Sequence, residues 1–354
     1  MNTKKDANNL FFIVVLLALL ASIGSSYMAV KGVKINIIVN LLFSQMIIFV
    51  PGLIFYIIKN KDTEVYKPFK KIKPVTVLLA IIMTWLFMPL VTCANLFSQL
   101  FTKNEIVNIS SEVLDIPLLP MIFIIGILGP FSEEFVFRGL IYNGIRGQGK
   151  RYIASGLLSG LFFGLMHLNF NQFCYAFVLG TIFALVNECL DSIWISFVSH
   201  AVVNTQNVLM LYAADRALKE FGGMSVADAY NQAAGAEGGV GMNAMYIVML
   251  YVFLFIALIT TSLAVLLVRA MCKIEGKLDR FYMVLRPKRY RKLLENDMTV
   301  DEDGAVSTVI DCAEVDDEGI ASVRDRLLYP CGVAAIIVCI FVMFCLEPLL
   351  NMIK

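Results

Sequence analysis

Nine long, nearly uninterrupted apolar runs constrain this chain more than any other feature: 10–30, 35–58, 75–98, 118–145, 152–168, 172–190, 192–213, 244–270 and 329–350. A bilayer's hydrocarbon core takes roughly 20 apolar residues per helix, and each run meets or nearly meets that length. Lipid offers the backbone no hydrogen-bond partners, so only helices and closed barrels cross it. Barrel strands alternate apolar and polar positions over segments of about 10 residues, whereas these runs are continuous. The expectation is an all-α polytopic transmembrane helical bundle of about 8–9 spans, the middle three lying too close together to divide cleanly. Composition agrees, with 59% hydrophobic and 16% charged residues against about 25% charged in soluble domains. The N-terminal stretch MNTKKDANNLFFIVVLLALLASIG has an apolar core too long for a signal peptide and reads as an uncleaved first span.

Charge places the loops. Lys4 and Lys5 precede the first run, and six lysines (Lys59, Lys61, Lys67, Lys70, Lys71, Lys73) follow the second. RGQGKR follows the fourth, and KLDRFYMVLRPKRYRK follows the eighth. A cytoplasmic N-terminus puts all of these clusters inside, as the positive-inside rule requires. Loops 99–117 and 214–243 then fall outside. This reading makes the chain a multi-pass protein of the plasma membrane. Its divisions are N-terminal spans 1–114, a motif-bearing core 115–215, an outer loop and eighth span 216–270, a charged cytoplasmic segment 271–328, and a C-terminal span 329–354. Within 271–328 the basic half should lie on anionic headgroups, and the acidic half, NDMTVDEDGAVSTVIDCAEVDDEG, should be mobile. Net charge is only +1, and no basic patch with interleaved aromatics points to nucleic acid. The eight cysteines are scattered without a CxxC pair, which reads as buried small hydrophobes rather than a zinc ribbon.

The fourth run contains GPFSEEFVFRG, residues 129–139. An ionised side chain at the bilayer centre costs roughly 2.5–3.5 kcal/mol on insertion scales. Glu134 and Arg138 are four apart and share a helix face, so they can neutralise one another; Glu133 is left over. The chain's two histidines, His167 and His200, both lie in apolar runs. Each taken alone is better read as a hydrogen-bonded packing residue than as a catalyst. His200 and Asn204, again four apart, face the same way. One shared polar cavity inside the bundle would accommodate all of them, and water must reach it through a funnel.

A carboxylate and a histidine can take a proton from a bound water. A second histidine and an asparagine amide can donate to a developing oxyanion. Together they are the equipment for hydrolysing an amide with water as nucleophile. Neither GxSxG nor HExxH occurs, and no serine or cysteine beside either histidine suggests a covalent nucleophile. Buried carboxylates and histidines also make proton relays, but the paired inverted repeats of a transporter are not evident.

EExxxR (Glu133, Glu134, Arg138), FxxxH (Phe163, His167) and HxxxN (His200, Asn204), in that order on three apolar runs, resemble the CPBP family of intramembrane CAAX-type proteases and bacteriocin-processing enzymes. The resemblance covers roughly residues 115–215. It implies an intramembrane endopeptidase in which Glu133 and His167 activate water and His200 and Asn204 bind the oxyanion. Glu134, Arg138 and Phe163 are implied as supporting residues, Phe163 packing on His167 and Arg138 available to a substrate carboxylate. The implied substrate is a peptide or protein cleaved near the membrane: a leader peptide, a pheromone precursor or a prenylated protein. The family is often labelled metallopeptidase, and Glu133, His167 and His200 would be the ligands of a zinc site. Its CAAX-processing branch favours metal-free catalysis, so no cofactor is expected. A non-catalytic scaffold or bacteriocin-immunity protein that keeps the motifs unused is the alternative.

Overall fold

The computed structural model describes residues 2–59, 64–66, 69–102, 110–149, 151–229, 232, 240–285, 298–300, 306–308 and 327–346. Each apolar run is helical over most of its described residues: α1 Thr3–Val30, α2 Ile37–Lys59 and α3 Pro74–Gln99, then after a short α4 (Ser110–Leu114) the fourth span α5, Leu118–Arg146. There follow α6 Tyr152–Met166, α7 Phe170–Leu190, α8 Trp194–Gly222, α9 Val240–Ile274, the short surface helix α10 Leu278–Leu285, and α11 Pro330–Phe341. The molecule is an all-α polytopic bundle, to which the described residues add one antiparallel ribbon, Met298–Val300 on Val306–Thr308.

Among the described residues, six helices are long and apolar enough to cross a membrane: α1, α2, α3, α5, α7 and the Met245–Ile274 part of α9. The sequence expectation of about 8–9 spans is met by helices in each place, with three that differ for physical reasons. Helix α6 has 15 residues, about 22 Å at 1.5 Å per residue, and so falls short of the hydrocarbon thickness. Helix α11 is likewise short. Helix α8 is long but interrupts its apolar surface with Ser196, Ser199, His200, Asn204, Thr205 and Gln206; it carries half of the candidate site.

Two large packing cores organise the bundle. One joins α1, α2, α5, α6 and α11 around Phe11, Phe137, Leu140 and Phe162. The other joins α3, α7, α9 and α10 around Met83, Leu190, Met271 and Phe281. The C-terminal span finds its place against α1. Buried Asn8 donates through Nδ2 to the Leu327 carbonyl at 3.1 Å, and its Oδ1 accepts from the Tyr329 amide at 3.1 Å. In the first part of the basic half two side chains bond to the bundle, while the basic stretch 286–292 lies outside the described residues. Lys277 donates to the Leu190 carbonyl at 2.6 Å, and Arg280 reaches Glu188. Most of the acidic stretch lies outside the described residues.

Small residues set the contact between α6 and α7. Gly156, Gly160 and Gly164 line one face of α6 and lie against α7, since without a hydrophobic drive between helices in lipid, association rests on such close approach. A methyl on Gly160 would stand 2.3 Å from Thr181 Oγ1 and 2.7 Å from the Thr181 amide nitrogen. Because a backbone atom cannot rotate away, Gly160→Ala should destabilise the protein by about 1–3 kcal/mol. Gly24→Ala, with nothing within 4 Å, is the control. Thermal unfolding in detergent should separate the two, and equal midpoints would refute this account of the contact.

Candidate active site

The site is built on α5, whose helix is irregular where it matters. Ile122–Leu128 and Phe135–Tyr142 are π-helical, flanking the α-helical turn Gly129–Glu134. Widened turns of this kind recur at functional sites because they offset carbonyls from the regular ladder. Here the Ile125 carbonyl accepts from Asn204 Nδ2 at 3.1 Å. Gly126 admits α8 closely, as a methyl there would lie 2.4 Å from Thr205 Oγ1.

Glu134 is fully buried and Arg138 is 1% exposed. Glu134 Oε1 lies 2.9 Å from Arg138 Nη1 and 2.9 Å from His200 Nδ1. His200 is thus held by one nitrogen, and its other, Nε2, faces Glu133 Oε2 at 3.8 Å. Glu133 therefore has a partner across the helix interface. Its separation from His200 is too long for a direct hydrogen bond and suits one bridging water. His167 caps the end of α6, and its Nδ1 contacts the Phe163 carbonyl at 2.9 Å. Donation from Nδ1 leaves His167 Nε2 as the ring's acceptor.

Phe163 ties the parts together. Its ring packs edge-on against His167 at 5.1 Å and His200 at 5.8 Å between centroids. The Arg138 guanidinium lies over the same ring at 4.2 Å and over Phe183 at 5.6 Å. Gly180 of α7 leaves room for this stack, because a methyl there would stand 3.0 Å from Phe163 and 3.1 Å from Arg138 Nη2. The chain's two histidines, three motif carboxylate and guanidinium groups, and Asn204 all come from α5, α6 and α8. Among the described residues no three His, Cys, Asp or Glu side chains stand together as a ligand set for a metal ion.

Asn187, Glu188 and Asp191 stand at the junction of the sixth and seventh apolar runs. The structure buries Glu188, at 5% exposure, in a second polar cluster. Its Oε2 accepts from Tyr142 OH at 2.9 Å and meets Arg146 Nε at 3.0 Å, while Oε1 accepts from Arg280 Nη2 at 2.9 Å. Asp191 joins through Arg280 at 3.3 Å and Lys70 at 2.7 Å. A cavity of about 60 Å³ lies in this cluster and touches Arg138. The expected funnel to Glu133 is not this cavity, whose lining shares only Arg138 with the motif residues. The cluster also draws basic side chains from three segments, Lys70, Arg146 and Arg280, to one end of the bundle. The signal available in the sequence was Tyr142, Arg146 and Glu188 together at run ends, but it takes the fold to pair them.

Residues 115–206 match the family model described as Type II CAAX prenyl endopeptidase Rce1-like. The YdiL protein of Bacillus subtilis (strain 168), whose name proposes a membrane peptidase, is 30% identical over 90 residues, 25% of this chain and 36% of that protein. The membrane-embedded CAAX protease MroQ of Staphylococcus aureus (strain USA300) is 31% identical over 104 residues, 28% of this chain and 42% of that protein. The chain thus spans well under half the length of these curated relatives. No solved structure matches it. Glu133, Glu134, His167, His200 and Asn204 therefore all lie within the segment that matches the Rce1-like model, between apolar helices that lie outside the match.

Proposed function

We propose that the chain is an intramembrane endopeptidase of the CAAX-protease type, hydrolysing a peptide bond of a membrane-associated peptide or protein. The observation that carries this is His200, held through Nδ1 by Glu134 so that Nε2 faces Glu133 inside a membrane bundle. Glu133, with His167 Nε2, takes a proton from water as its oxygen attacks the scissile carbonyl carbon. The electron pair of the carbonyl moves to its oxygen. His200 Nε2, donating from the doubly protonated ring beside Glu134, and the Asn204 amide stabilise that oxyanion. Collapse expels the amine, which takes up a proton from the carboxyl of Glu133. Asn204 Nδ2 is bonded to the Ile125 carbonyl, so it serves substrate with its second N–H or after a rotamer change. Zinc on Glu133, His167 and His200 is the alternative, but among the described residues these side chains do not converge as a ligand set. The basic side chains at the Glu188 end mark the end we assign to the cytoplasm.

Purified protein in liposomes should cleave a labelled peptide ending in a prenylated CAAX sequence or a leader peptide. His167→Ala should lose at least 100-fold in kcat, in keeping with the loss of one acid–base group, with an unchanged melting profile. Full activity of that variant would overturn the reading. Activity that falls in a strong chelator and returns with added zinc would replace glutamate activation by metal activation.

A further inference from the structure

One polar side chain that the site leaves unexplained comes from α2, outside the matched segment. Gln45 lies in the middle of a span whose neighbours Phe43 and Met46 face outward. It turns instead toward α5. Helix α2 runs alongside α5 in the same direction: Gly52 packs on Val136 and Leu140, Phe49 on Phe131 and Phe135, and Gln45 on Gly129. A methyl on Gly129 would be 3.5 Å from Gln45 Nε2 and 3.7 Å from its Cδ. Gly129 and Glu133 are four apart, so they share a face of the one regular turn between the two widened ones. The same register sets Phe49 level with Glu133 and Gln45 one turn away along the helices, about 6 Å at 1.5 Å per residue.

Gln45 Oε1 is buried and, among the described residues, has no hydrogen-bond partner. A buried amide oxygen without a partner costs stability, and a polar group held inside a membrane bundle marks function more often than packing. The missing partner is supplied by what the site must hold. A peptide lying beside Glu133 brings its own N–H and C=O groups into a region where lipid satisfies neither. A carboxamide has an acceptor and donors side by side and matches a peptide group.

We propose that Gln45 is a substrate-binding residue, Oε1 accepting a backbone N–H and Nε2 donating to a backbone C=O of the peptide held beside Glu133. This rests on the endopeptidase reading. The test is binding and cleavage of the labelled prenylated CAAX peptide and the leader peptide. In the Glu133→Gln background, Gln45→Met should raise the Kd of the bound peptide about tenfold, the equivalent of one hydrogen bond. In the active protein it should raise KM similarly with kcat within about twofold, the pattern of lost uniform binding. Gln45→Asn, which keeps the amide but withdraws it by one methylene, should do the same if the methionine variant does not fold. Unchanged Kd and KM together with a raised melting temperature would make the amide a packing defect and overturn the inference. Gln45-dependent binding without any cleavage by the wild type would leave the inference standing and remove the endopeptidase reading. Absence of peptide binding to the Glu133→Gln protein would overturn both.

Discussion

Glu133→Gln is expected to lower kcat for peptide cleavage by about 10²–10⁴-fold, the contribution of a positioned general base, with no loss of thermal stability. The two neighbouring glutamates are chemically alike and structurally opposite. Glu134 is sealed between Arg138 and His200. Glu133 is 9% exposed, and its carboxylate is 3.8 Å from His200 Nε2. The amide variant keeps the shape of Glu133 but cannot hold a transferred proton, so chemistry fails while packing survives. Glu134→Gln should fail differently, losing stability because it leaves the Arg138 charge buried without a counter-ion. Cleavage assays and thermal unfolding on the two variants read this contrast. Retained cleavage in Glu133→Gln, or equal destabilisation by both substitutions, would reverse the assignment of roles.

Much of this was legible in the sequence because lipid makes polarity expensive. The apolar runs became helices, and the (i, i+4) spacing of Glu134 and Arg138 became an ion pair. What spacing could not show was contact between helices. His200 reaching Glu134 across 66 positions depends on α8 approaching Gly126 and on the widened turns of α5, which no periodicity announces. Glu188 illustrates the same limit. At the end of an apolar run a carboxylate reads as solvated, and only the fold brings Tyr142, Arg146 and Arg280 around it. Gln45 was invisible for a simpler reason: a single amide in a span carries no spacing to read.

Arg138→Met is expected to be the most destabilising single change in the site, costing about 3–5 kcal/mol, as removal of one partner of a buried ion pair does. The guanidinium is 2.9 Å from Glu134 and stacks over Phe163 at 4.2 Å. Its loss strands the Glu134 charge and removes the plate against which Phe163 orients both histidines. The second substitution separates these two effects. In Glu134→Gln/Arg138→Met the stranded charge is gone, so most of the stability should return, and the double-mutant cycle should show a coupling well above the roughly 0.5 kcal/mol scatter of independent sites. Activity should not return with it. The amide that replaces the Glu134 carboxylate can still accept from His200 Nδ1, but it offers no negative charge to the doubly protonated ring that the oxyanion requires. A double variant as unstable as Arg138→Met would show that the stacking on Phe163, rather than the ion pair, holds this part of the bundle. A double variant that cleaves at the wild-type rate would show that the charge on Glu134 has no part in the chemistry.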